Sequence, residues 1–120
     1  MRGRILGLGW NEDPGLLKEI SRHILGGGLV AMPTETVYGF GCIPHGSPLR
    51  ELQRIKERGP ESPFLLLVPG PGAVGDLEWT PEAERLVEVF WPGPLTVVLN
   101  DPDSRFPPGV RSFRGGVAVR

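Results

Sequence analysis

The sequence has one cysteine, Cys42, so no internal disulfide can form. Its two histidines, His23 and His45, show no spacing that suits a structural zinc ion, and both read as surface or turn residues. Lysine is almost as scarce: only Lys18 and Lys56 occur among 13 basic side chains. Neither sign of charge dominates, and a net charge of −1 argues against a strongly basic nucleic-acid binder. No apolar run approaches the roughly 20 residues of a membrane span. The opening Met1-Arg2-Gly3-Arg4 with Ile5 to Leu8 is too short for a secretory signal, because Glu12 and Asp13 follow at once. These absences point to the cytoplasm.

What is abundant is glycine and proline, 18 and 14 residues of 120. That share overlaps disordered sequences. Here, however, they fall between patterned apolar segments, which makes residues 1–120 one loop-rich globular domain. Two stretches are locally basic. Arg50, Arg54, Lys56 and Arg58 face only Glu51 and Glu57, and residues 104–120 hold Arg105, Arg111, Arg114 and Arg120 with no acid. Two basic islands in a neutral chain suit one small anionic ligand better than a long polyanion; solvated surface arginine is the plainer reading for about half of them.

Apolar spacing predicts a helix over Pro14 to Leu25, capped by Asp13, with Leu16, Leu17, Ile20, Ile24 and Leu25 on one face. The triplet Gly26-Gly27-Gly28 ends it. Leu29 to Met32 is a short buried strand stopped by Pro33. A second helix opens at Ser47-Pro48 and ends at Gly59-Pro60. Phe64 to Val68 is a buried strand and Pro69 to Gly75 a loop. A third helix opens at Thr80-Pro81, and Trp91 to Pro94 turn into a strand over Leu95 to Leu99. Asn100 to Gly116 is irregular, and Val117 to Arg120 is a strand. The alternation describes an α/β domain with an open, mixed sheet. A strand running into the last residue reads as a chain cut short within its sheet. Apolar on both faces, that strand belongs inside the sheet. Ending there predicts a bare surface beside it, a chain that dimerises or is poorly soluble, and a mobile Arg120.

Pro33 to Gly41 follows a buried strand, where α/β folds bind ligands. Thr34, Thr36 and Tyr38 offer hydroxyls, and Gly39 and Gly41 permit close backbone approach. The run reads equally as a turn with Tyr38 packed in the core. Glu35, the one carboxylate in it, is a candidate general base. Lys56 and Arg58, two apart, converge on one phosphate only if the helix unwinds there; otherwise they are cations at a helix C-terminus. Phe90 to Thr96, alone, is an aromatic-anchored turn.

Four segments together resemble the YrdC-type threonylcarbamoyl-AMP synthase family. They are Gly27 to Gly41 (GGLVAMPTETVYGFG), Lys56-x-Arg58, Phe90 to Thr96 (FWPGPLT), and Val117-Ala118-Val119-Arg120, in the family's order and spacing. The resemblance implies a twisted, open α/β sheet around a concave, positively charged cavity. It implies a nucleotidyltransferase joining L-threonine, bicarbonate and ATP into threonylcarbamoyl-AMP with release of pyrophosphate, for threonylcarbamoyladenosine modification of tRNA. By that resemblance Lys56 and Arg58 hold the nucleotide phosphates and carry the catalysis, with Ser62 and Gly116 adding nucleotide contacts. Thr34, Thr36 and Arg120 bind threonine, Arg120 gripping its carboxylate, while Tyr38 and Gly39 shape the wall. Mg2+ comes with ATP, without a protein cage of its own. Expected partners are these small molecules, tRNA or double-stranded RNA, and tRNA-modification proteins, with no membrane.

The sequence departs from the family in three places. Ser62 stands where Lys or Asn is frequent, Leu67 stands where some members have histidine, and a Ser-x-Asn segment expected beyond the arginine strand does not appear. With a mobile Arg120, threonine affinity is expected to be weak or absent. Two alternatives share the scaffold: a relative forming another carbamoyl adenylate, and a non-catalytic RNA-binding module.

Overall fold

A computed structural model describes residues 3–7 and 13–120. Of the opening segment weighed as a signal, Met1, Arg2, Leu8 and Glu12 lie outside the described residues. Helix α1 spans Pro14–Leu25 as the pattern predicts, with the Asp13 side chain accepting from the Leu16 N–H at 3.1 Å. Its inward face is narrower than five residues. Leu16, Ile20 and Ile24 are half-buried at four-residue spacing, while Leu17 and Leu25 stay exposed.

The first two helices end alike. In α1 the Gly28 N–H donates to the His23 carbonyl at 2.8 Å and the Gly27 N–H to Ile24 at 3.0 Å, with Gly27 at φ 94°. In α2, Gly46–Ile55, the Arg58 N–H donates to Gln53 at 2.9 Å and the Glu57 N–H to Arg54 at 3.2 Å, with Glu57 at φ 51°. Both are paired-bond C-terminal caps that need one left-handed residue. Glycine adopts that conformation freely, whereas a residue with a Cβ pays roughly 1–2 kcal/mol. The second helix therefore unwinds at Glu57, before the Gly59-Pro60 that the sequence marks as its end. Glu57→Gly should relieve the strain and lose part of the gain to a more flexible unfolded chain. A net stabilisation of about 0.5–1 kcal/mol is expected. It is read as a higher urea midpoint; a lower one would contradict the strain account.

The fold is α/β, with its strands in two small antiparallel pairs. Strand β1, Val30–Pro33, pairs with β2, Tyr38–Gly41. The glycines at 39 and 41 hide β2 from sequence reading, since glycine weakens a strand. Across the pair the gap is filled: a Cβ at Gly41 would lie 3.3 Å from the Met32 Cε and 3.6 Å from a Val30 methyl. A 3-10 turn over Pro71–Val74 replaces part of the expected loop and leads to α3, Pro81–Phe90, capped by the Thr80 hydroxyl. Strand β3, Val97–Asn100, then pairs with β4, Gly116–Val119.

The expected strand over Phe64 to Val68 is corrected to an extended segment with a single parallel bridge, Leu66 to Val119. Its register with β4 rests on three bonds. Leu66 N–H donates to Ala118 at 2.9 Å, Arg120 N–H to Leu66 at 2.9 Å, and Val68 N–H to Arg120 at 3.0 Å. Pro63 and Pro69 flank the segment and cannot donate, which keeps the pairing short. β4 thus has β3 on one side and this segment on the other, so it is interior, as its apolar faces predict. The bare flank expected beside it is not there. Val117 and Val119 are fully buried, packed with Leu49 of α2, Ala83 and Val87 of α3, Val97 and Leu99 of β3, and Val110.

Candidate functional site

The hairpin between β1 and β2 is organised by one hydroxyl. Thr34 Oγ1 donates to the Val37 carbonyl at 2.7 Å and accepts from the Val37 and Thr36 N–H groups at 3.3 and 3.4 Å. The Thr34 and Thr36 hydroxyls lie 3.2 Å apart. A threonine that closes a turn with its side chain fixes the residues it encloses, here Glu35 and Thr36. Thr34 is half-buried and Thr36 exposed, so Thr36 is the hydroxyl presented to solvent. Tyr38 is 81 % exposed, which corrects the reading that packs it in the core. Among the described residues β2 pairs with β1 alone; Tyr38 and Phe40, two apart, lie exposed on one face of the hairpin, and a Cβ at Gly39 would meet no described atom within 4 Å.

Glu35 reaches Arg120. Its Oε1 lies 2.8 Å from the Arg120 Nε, an ion pair and not an aligned hydrogen bond. The Arg120 side chain is only 15 % exposed. Its backbone is bonded to Leu66 and Val68, and its side chain faces a carboxylate, contacts that the expectation of a mobile Arg120 did not include. Glu35 and Arg120 line a cavity of about 480 Å³ with Leu67, Val87, Trp91 and Gly93. Three of the four sequence motifs or their neighbours therefore meet at one hollow. At its wall the Trp91 indole N–H donates to the Leu95 carbonyl at 2.8 Å, and Trp79 stands edge-on to Trp91 with ring centroids 6.2 Å apart. A side chain at Gly93 would run into the Phe90 carbonyl, so this turn admits only glycine there. Leu67 contributes an apolar patch where some members of the resembled family have histidine.

Lys56 and Arg58 lie outside that lining. The Lys56 Nζ sits 5.9 Å from the centre of the Phe40 ring, and the Arg58 guanidinium carbon 4.9 Å from that of Phe64. Both are exposed and both rest on aromatic faces. The left-handed Glu57 between them is the unwinding that convergence requires. Lys56 is thereby tied to the threonine hairpin through Phe40, and Arg58 to the segment that pairs with β4 through Phe64. Ser62 is exposed in a turn closed by its N–H on the Gly59 carbonyl at 3.1 Å. Gly116 is not brought to this group. It starts β4, about 13 Å of strand from Arg120, and borders a second cavity of about 690 Å³ with Glu78, Glu82 and Thr96. The carboxylates of Glu78 and Glu82 make that hollow a poor seat for a polyphosphate. Its Gly116 N–H is already bonded to the Ser112 hydroxyl at 3.0 Å.

Burial raises the Cys42 thiol above its ordinary value, which keeps it a poor nucleophile. No cluster of three or more His, Cys, Asp or Glu that could hold a metal occurs among the described residues, and no described helix is long and apolar enough to cross a membrane. Sequence reading missed Asp101, which is 1 % exposed. It accepts from the Arg105 and Phe106 N–H groups at 3.0 Å each and lies 3.5 Å from the Arg111 Nε. The Asn-Asp-Pro-Asp-Ser run was its available signal, because such residues cap turns with their own side chains.

The Sua5–YciO–YrdC family profile, described as "Telomere recombination", matches residues 22–120. A threonylcarbamoyl-AMP synthase of Thiobacillus denitrificans is 36% identical over 116 residues, which are 90% of this chain and 56% of that protein. Another, of Marinobacter nauticus, is 34% identical over 100 residues, 81% of this chain and 53% of that protein. The crystal structure of P. abyssi Sua5 complexed with L-threonine superposes with a TM-score of 0.78 at 34% identity, over 87% of this chain and 31% of that one. The chain spans about half the length of the curated relatives it matches.

Proposed function

The chain belongs to the Sua5–YciO–YrdC family, and from that footing we propose that it serves the formation of threonylcarbamoyl-AMP from L-threonine, bicarbonate and ATP. The observation that carries the reading is Arg120 at the cavity beside the threonine hairpin, in a chain that superposes on a relative whose structure holds L-threonine. Arg120 receives the amino-acid carboxylate, as a forked donor suits it. The Thr36 hydroxyl, presented by the turn that Thr34 closes, takes a hydrogen bond from the same substrate, and Tyr38 and Gly39 bound it.

The threonine amine adds to the carbon dioxide of bicarbonate. The resulting carbamate attacks the α-phosphorus of ATP, and pyrophosphate leaves. Little covalent chemistry falls to the protein, so positioning and charge neutralisation provide the rate. Lys56 and Arg58, with Ser62 nearby, hold the triphosphate. Magnesium enters as part of that nucleotide substrate. The acyl adenylate is then consumed in threonylcarbamoyl transfer to tRNA by partner proteins.

The test is ATP–pyrophosphate exchange by the 120-residue chain. Exchange that requires both L-threonine and bicarbonate is expected. Exchange indifferent to threonine would sink the assignment in favour of another carbamoyl adenylate. Absence of exchange together with salt-sensitive tRNA binding would favour the RNA-binding module.

A further inference from the structure

We propose that Glu35 is a positioning residue: it holds Arg120 by the inner Nε and turns the outer Nη1–Nη2 edge toward the cavity for a substrate carboxylate. This rests on the reading that the cavity takes L-threonine. The Nε is sealed from solvent, and among the described residues its ion-pair partner is the Glu35 carboxylate, 2.8 Å away. Neither Nη1 nor Nη2 donates a hydrogen bond to any described residue, while both side chains line the same hollow. A guanidinium has two forked edges, and occupying the inner one leaves the outer one for a second carboxylate.

Both partners are themselves anchored. Glu35 sits inside the turn that the Thr34 hydroxyl closes, and Arg120 is fixed through its backbone N–H and carbonyl. Without Glu35 the sealed nitrogen would lack a counter-charge, and the long arginine side chain would be free to fold out of the hollow. The carboxylate thus has a task distinct from that of a general base. It sets the angle at which the arginine meets the ligand.

The experiment pairs calorimetry with nitrogen-15 NMR on the full chain. L-threonine and L-threoninol, which lacks the carboxylate, are titrated into wild type, Glu35→Ala, Glu35→Gln, Arg120→Ala and the Glu35→Ala/Arg120→Ala double variant. Glu35→Ala should weaken L-threonine about ten-fold and Glu35→Gln less, because an uncharged acceptor remains. Threoninol binding should not change, and Glu35→Ala should have no further effect when Arg120 is absent. Equal losses for both ligands, or a loss that persists without Arg120, would overturn the proposal by placing Glu35 on the ligand itself. Tighter threonine binding by Glu35→Ala would overturn it by making Glu35 a competitor for Arg120.

The Arg120 Nε–H resonance is followed without ligand. Slow exchange in wild type that is lost in Glu35→Ala is expected; an unchanged signal refutes the positioning role whatever binds. If that signal behaves as expected and wild type does not bind L-threonine, the synthase reading fails and the hold on Arg120 stands.

Discussion

Asp101→Ala should cost about 3–5 kcal/mol of stability, as removing one partner of a buried charge pair does. A domain of this size is stable by roughly 5–15 kcal/mol, so the loss is a large share of the whole. The carboxylate is fully enclosed and satisfies two backbone N–H groups, those of Arg105 and Phe106, besides facing Arg111 at 3.5 Å. Its removal strands all three at once. Its own N–H is bonded to the Gly115 carbonyl at 2.8 Å, which ties the loop to the residue preceding β4. Asp101→Asn retains one acceptor oxygen and should lose about half as much. Urea unfolding of the three proteins decides. A loss below about 1 kcal/mol for Asp101→Ala would mean that water replaces the carboxylate and that the pair is not structurally required.

Arg58→Ala should lower the affinity for an ATP analogue about 10- to 100-fold, the range for one charge-assisted phosphate contact. Arg85→Ala should leave it unchanged. The two arginines carry the same charge but differ in surroundings. Arg58 rests on the Phe64 ring at 4.9 Å beyond the unwound end of α2, with Lys56 two residues away. Arg85 lies on the exposed face of α3, with Glu82, Glu84 and Glu88 near it in sequence and away from the family motifs. Calorimetry on both variants separates a placed contact from bulk electrostatics. Equal losses would mean that only net charge counts.

The features legible in the sequence were those that depend on near neighbours. Asp13 caps Leu16 and Thr80 caps Ala83, both three residues ahead, and both helices begin where those residues predict. The Gly27 cap is local in the same way. Glu57 was not legible, because a strained left-handed glutamate is tolerated only once the rest of the chain holds it. Strand β2 was hidden by its glycines; at Gly41 the missing side chain is replaced by Met32 and Val30 across the hairpin. The site divided along the same line. The family resemblance named Thr34, Thr36 and Arg120 one at a time. That Glu35 is the partner of Arg120 depends on how β4 lies beside the 64–68 segment, and no spacing along the chain encodes that. Gly116 was grouped with the nucleotide contacts by the family resemblance, and it borders the cavity that Glu78 and Glu82 line.

The interior position of β4 also bears on the order in which this protein acquires its structure. Val117 and Val119 are the most enclosed apolar side chains of the described core, and they lie far along the chain from Leu49 of α2, with which they pack. The bridge from Leu66 to Val119 closes a loop that contains α3, β3 and the whole Asp101 region. Closing that loop brings Val117 and Val119 into the cluster in which α2 buries Leu49 and α3 buries Val87. Loop-closure entropy must be met before those contacts form, which places this half of the molecule among slow, non-local folding problems. Before that closure the chain carries an unfinished apolar face. Exposed surface of that kind is where aggregation competes with folding.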